Sequence, residues 1–216
     1  TKVISPSTYI EQSTPTTSNE RTSRDSTYFI CGLIQHHPAY QHRQRSKTLN
    51  YLTITPQCPK YEGVLIAYDM TTGTPAIFYS LEQTSGKDTS FLFDEMYRFI
   101  HTYHPCEILL YHDMGDTTEW SECLEHIEIP FSCIQHIRSI QNDIPKSLFQ
   151  ISIQNKLLHS YFPETGHLSP IEYLNMERSI LTPIVYLLML QFIEKHNPTL
   201  VTHLQIPVEW NASNHL

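Results

Sequence analysis

At 216 residues the chain exceeds the ~100 to 150 residues usual for one domain, so it reads as one domain plus an extension. Hydrophobic residues at 40% and charged residues at 17% indicate a globular protein with a core, which excludes a disordered or fibrous chain. Lys and Arg number 14 against 22 Asp and Glu, a net charge of −8, and a surface of that sign repels phosphate backbones unless a basic patch is segregated.

Taken in order, residues 1–26 are dominated from position 12 onward by Ser, Thr, Pro and Asn, with too few apolar side chains to offset the entropy of ordering, so they read as a linker. The β-branched and aromatic run from Thr27 to Gln35 reads as the first strand. Residues 36–60 contain Pro38, Pro56 and Pro59 and little periodicity, which predicts a long surface insertion. Its Arg43, Arg45 and Lys47, next to His42, form the most basic stretch of the chain and are the candidate DNA-contacting patch, although a solvated loop tip is the simpler reading.

The stretch from Tyr61 to His112 organises the rest. The run YEGVLIAYDM, a tight TTGT, and PAIFYS predict an antiparallel hairpin whose turn is built by Asp69, Thr72 and Gly73, glycine supplying the positive φ. FLFDEMYRFIHTY follows with Leu92, Met96, Phe99 and Tyr103 at helical spacing, begun near Asp88 to Ser90 and stopped by Pro105. CEILLY then returns as a strand expected to lie parallel to one of the two hairpin strands, since it comes back through a crossover of helix length. The expected core includes Phe29, Val64, Ile66, Ile77, Leu92, Phe99, Ile108 and Leu110.

Beyond it, a short helix capped by Thr117 or Thr118, a strand over Ile129–Ile137 and a helix over Lys146–Phe162 are expected. Ser169, Pro170 and Glu172 spell a capping box with proline at the first helical position, predicting a helix to about Arg178. Pro183 forces a new start, with Thr182 as its cap. The helix it opens, PIVYLLMLQFIEKH, is apolar on nearly every side, so it must be buried, and this chain looks too small to wrap it. LVTHLQIPVEW reads as an extended exit.

Reactive chemistry is mostly absent from the pattern. The five cysteines form no CxxC pair, which suits buried thiols in a reducing compartment. Cys31, His36, His37, His42 and Cys58 match no regular zinc spacing. Gly86-Lys87 resembles the end of a P-loop, but Leu81 stands where the first glycine belongs and Asp88 where magnesium needs Ser or Thr. No catalytic, cofactor or metal residues are assigned. The chain begins at Thr1 without Met, signal peptide or membrane-spanning run, so it is expected to be an intracellular piece of something longer, with no membrane contact.

Strand, strand, strand, helix, strand is also the element order of ribonuclease H-like nucleases, whose two metals, about 3.5 to 4 Å apart, need converging carboxylates. The first strand here offers none, so the order reads as a nuclease-like fold with no nuclease site, and a free-standing metal-dependent nuclease built on Asp69, Glu95 and Asp113 is the rival reading. A generic interaction module is the third.

Four stretches carry a family resemblance. Ser5-Pro6-Ser7-Thr8 is similar to a Thr-Pro-Gly-Thr, with Ser7 in place of glycine. Gly63 to Phe78, GVLIAYDMTTGTPAIF, resembles a glycine, apolar run, Asp-Leu-Ser-Thr-Gly and aromatic. His104 to Leu110, HPCEILL, resembles Asn-Pro-x-Glu-Ile-Leu, and YLNMERSILTPIVYLLMLQFIEKH resembles a pair of core helices. Together they resemble the connector domain and start of the core and lever region of the MutS family of DNA mismatch-repair proteins. LSPIEYL and LQFIEKHNP are most like its divergent branch in large DNA viruses and coral mitochondria, although the 36–60 insertion is longer than usual.

The resemblance implies a mixed α/β, ribonuclease H-like sheet with flanking helices and a helical extension. Residues 1–26 would be a linker from a mismatch-binding domain, 27–140 the connector, and 141–216 a connecting helix and the start of the core. It implies no catalysis in this segment. ATP and magnesium, mismatched double-stranded DNA, a MutL-like partner and dimerisation would all belong to the parent protein.

Overall fold

The computed structural model describes residues 26–38, 41, 60–80, 91–115 and 117–210. The expected linker, the basic residues Arg43, Arg45 and Lys47, and the expected helix start at 88–90 lie outside them.

Among the described residues the fold is a mixed α/β sheet of six strands in the order β5-β4-β1-β2-β3-β6, flanked by helices. The strands are β1 (Tyr28–His36), β2 (Tyr61–Asp69), β3 (Pro75–Tyr79), β4 (Glu107–His112), β5 (Ile134–Ser139) and β6 (Val208–Glu209). The helices are α1 (Phe91–Tyr103), α2 (Thr117–Ile127), the single turn α3 (Ile140–Asp143), α4 (Ile151–Tyr161), the single turn α5 (Pro170–Tyr173) and α6 (Thr182–His196). The hairpin β2–β3 is antiparallel as expected. β4 returns parallel to β1, not beside the hairpin, because β2 has already paired with the other edge of β1. β5 continues parallel beyond β4.

Alternating side chains of the pleat feed two cores. Ile30, Ile34, Leu65, Ala67, Ile108 and Leu110 pack under α1 and α2. Phe29, Leu33, Val64, Ile66, Leu109 and Tyr111 pack on the opposite face. Strands buried on both sides become continuous apolar runs, which is why β1 and β2 carry so few charges. All eight core residues expected from the sequence are buried.

The opposite face is closed by α6. Residues Thr182 through Leu190 and Ile193 are buried on all sides of that helix, and its Ile184 to Leu190 share one cluster with Phe29 and Val64 of the sheet and Leu158 of α4. The expectation that this helix waits for neighbours elsewhere is therefore corrected. The chain wraps it with its own sheet, α4 and the 3₁₀ segment Pro198–His203, and the core runs without interruption across position 140.

Other boundaries moved for local reasons. The strand expected from Ile129 starts at Ile134, because Pro130 closes a turn by accepting from the Cys133 N–H at 2.9 Å and cannot itself donate to a ladder. The helix expected over 146–162 breaks at Gln150, whose φ of −92° and ψ of 121° are extended, leaving a 3₁₀ turn before α4. The helix expected to Arg178 stops after Tyr173. Asn175 adopts φ 55°, and the Met176 N–H reaches back to the Ile171 carbonyl at 3.0 Å, a left-handed termination that Asn tolerates. Thr182 is the first residue of α6 and not its cap; the chain arrives with Leu181 already in helical conformation, and the Thr182 hydroxyl is buried and unbonded. The extended exit instead forms the 3₁₀ segment and then β6, which pairs parallel with β3.

If α6 is the cover of one sheet face, Leu187→Ala should cost about 2 to 5 kcal/mol in urea unfolding and leave a single cooperative transition. A loss below about 1 kcal/mol would contradict that placement.

Candidate functional site

β1 and β4 end side by side, and their carboxyl ends carry the densest polar network among the described residues. His36 closes β1. Its backbone N–H donates to both Asp113 carboxylate oxygens at 3.1 Å, and its ring Nδ1 lies 3.0 Å from Asp113 Oδ1. Its Nε2 lies 3.2 Å from Glu119 Oε1 on the first turn of α2. The same Glu119 oxygen accepts from the Tyr61 hydroxyl at 2.6 Å and pairs with Lys60 Nζ at 2.8 Å. Gln41 donates to Asp113 from the start of the insertion, and His37 N–H bonds the Lys60 carbonyl where the insertion returns. Asp113 is 12% exposed and Glu119 23%, so neither carboxylate is fully solvated.

Burial raises the Glu119 carboxyl, but the hydrogen bonds from Lys60, Tyr61 and His36 outweigh it and hold the group down at about 2. Burial, reinforced by Glu119, pushes the Tyr61 phenol far up. Beneath the network, the imidazole of His112 stacks on Trp120 at 4.2 Å, and burial lowers its pKa. The arrangement clamps five chain segments at one sheet edge. It was not foreseen from the sequence, because His36, Lys60, Asp113 and Glu119 are scattered over 83 residues and only the pairing of β1 with β4 brings them together. The sequence placed His36 in a different candidate group; Cys31 of that group is buried inside β1, and His42 and Cys58 lie outside the described residues.

The other expected site residues are elsewhere. Asp69 sits in the hairpin turn, where Oδ1 accepts from Thr71 N at 2.8 Å, Thr71 Oγ1 at 2.7 Å and Thr27 Oγ1 at 3.2 Å, and Oδ2 accepts from Thr72 Oγ1 at 3.0 Å. Gly73 has φ 73°, and a side chain there would collide with the His203 carbonyl. The turn is also a dock, since the Gly73 carbonyl accepts from Gln205 N at 3.0 Å and the Tyr68 hydroxyl donates to the Leu200 carbonyl at 2.7 Å. Ser169 and Glu172 form both halves of a capping box, with Pro170 at the first helical position.

The rival nuclease set does not converge. Asp69 is paired with Tyr28, at the start of β1, whereas Asp113 follows His112, which is level with Ile34. Seven residues of strand separate them, roughly 23 Å at a rise of about 3.3 Å per residue. Two metals about 4 Å apart cannot span that. Glu95 is engaged by Arg98 on its own helix at 2.8 Å. Among the described residues no helix is long and apolar enough to cross a membrane.

No family model matches the chain. It is similar to a DNA mismatch repair protein described as a MutS homolog from Acanthamoeba polyphaga mimivirus, 26% identical over 166 residues. The match covers 68% of this chain and 14% of that protein, so the chain spans about a seventh of the length of the relative it matches. The similarity is modest, and it points to a MutS-like relationship and a mismatch-repair-related role.

The Glu119 network should make stability acid-sensitive in a defined window. Its folded pKa lies below the ordinary 4.5, so its contribution is complete above about pH 5 and is lost as pH falls toward 2. Wild type should lose on the order of 1 to 2 kcal/mol more than Glu119→Gln across that interval, allowing for solvent screening. Parallel pH profiles of the two proteins would contradict the assignment.

Proposed function

We propose that this chain is a non-catalytic connector segment of a MutS-like DNA mismatch-repair ATPase. The observation that carries the reading is the similarity to the mimivirus MutS homolog over 166 residues. Two features of the fold support it. The element order strand, strand, strand, helix, strand is the one expected of a ribonuclease H-like connector, and Asp69 and Asp113, two of the carboxylates that would make such a fold a nuclease, lie at opposite ends of the strands.

In this reading the segment is a rigid body. Residues 27–140 provide five of the six strands and the first helical cover, and the remainder adds β6 and the α6 cover before leading toward the core and lever. Its orientation differs between mismatch-bound and ATP-bound states. Mismatched duplex, ATP with magnesium, a MutL-like partner and dimer contacts act through the parent protein. Intracellular residence follows from that role.

The test is domain motion in the full-length parent. A fluorophore at exposed Glu122 and one on the mismatch-binding part should change transfer efficiency when ATP is added to the complex with mismatched DNA. A pair placed within the segment, at Glu122 and Lys156, should not change. Constant efficiency in the first pair would overturn the connector reading. Metal-dependent DNA cleavage by the isolated chain, abolished by Asp113→Asn, would replace it with the nuclease.

A further inference from the structure

On the sheet edge opposite the His36 network, β6 lies between two hollows. One, of about 210 Å³, opens between β3 and the turn after α5 and is crossed by Arg178, whose guanidinium lies 3.7 Å from Glu209. The other, of about 370 Å³, opens beside the hairpin turn and has a different chemistry. Three aromatic residues line it, Tyr28, Tyr103 and Trp210, together with the carboxylates Asp69 and Glu209 and the apolar Pro75. Among its described lining residues there is no Lys or Arg. A volume of this order is at the small end of ligand sites.

The rings are fixed. Tyr28 and Tyr103 meet at 5.0 Å with planes tilted by 55°, and Phe99 supports Tyr103 at 4.9 Å. Trp210 is held edge-on by Phe99 at 5.5 Å and by Phe78 at 5.8 Å. The charge beside them is also fixed. Burial raises the Asp69 carboxyl, but its hydrogen bonds from Thr71, Thr72 and Thr27 outweigh that and leave it below the ordinary carboxylate value. Its negative charge reaches the cavity wall, where it adds to burial in raising the Tyr28 phenol. Both charges are partly engaged, Asp69 by the hydroxyl and N–H donors of its turn and Glu209 by the Tyr79 hydroxyl at 2.9 Å and by Arg178 at 3.7 Å, and Glu209 is the more exposed of the two.

Rigid aromatic faces bordered by a fixed carboxylate attract a weakly hydrated organic cation through ring quadrupole and Coulomb terms together, and repel anions. We propose that this cavity is a binding site for a methylated ammonium group, carried on a small quaternary amine or on a methylated lysine side chain. The inference is independent of the mismatch-repair reading. In the neighbouring hollow Arg178 already supplies a cation from within the chain, whereas this one takes its cation from outside.

The test uses Trp210 as reporter in the Trp120→Phe protein, which leaves one indole. Choline and a peptide carrying trimethyllysine are titrated in parallel with 3,3-dimethylbutanol, the uncharged shape mimic of choline, and with sodium sulfate. Saturable change with choline, with the peptide or with both supports the site, and which one binds tells the source of the cation. The uncharged mimic should bind at least about tenfold more weakly. Tyr103→Leu should weaken cation binding by about tenfold while Tyr103→Phe keeps it, and exposed Glu209→Gln should weaken it severalfold if the leucine variant does not fold. Equal binding of the uncharged mimic, no saturable response to either cation, or unchanged affinity in both Tyr103→Leu and Glu209→Gln would overturn the proposal.

Discussion

A sheet that is apolar on both faces cannot stand in water with one face bare, and the rest of this structure follows from that requirement. β1 and β2 are buried above and below, so each face needs a helical layer. α1 and α2 are close in sequence and cover one face; the other is left to α6, which begins at Thr182, well beyond the end of α2 at Ile127. α6 meets that need with side chains buried on every side. The segments between, the turn of α3, the 3₁₀ turn, α4 and α5, carry the chain around to it and bury its outer side.

That arrangement explains what was readable in the sequence and what was not. The apolar runs of β1 to β4, the α1 stripe and the capping box at Ser169 are local patterns, and each element appeared where its pattern lay. The misreadings came from two sources. Asn175 and Gln150 end or break helices through backbone conformations that composition alone does not reveal. The apolar helix was recognised as buried, but its cover came from the same chain, because a sheet face one hundred and fifty residues upstream cannot be seen from the helix. The polar network at His36 was invisible for the same reason: its members meet only through strand pairing.

The two ends of the sheet have become different places. At the carboxyl ends of β1 and β4 a closed set of hydrogen bonds gathers both ends of the insertion and the start of α2. At the opposite edge Asp69 and Gly73 fasten the hairpin turn to the residues that lead into β6. A body fastened at both ends is held as one piece, and the similarity to a MutS homolog seven times longer than the matched region points to a mismatch-repair-related role.

The claim underneath is that sheet and α6 form one cooperative unit. Native-state amide exchange followed residue by residue tests it most directly. The account predicts that amides of β1, β2 and α6 exchange only through the same global opening, with one common free energy and one common denaturant dependence. Exchange of α6 through a separate opening of much lower free energy, while β1 and β2 stay protected, would contradict it.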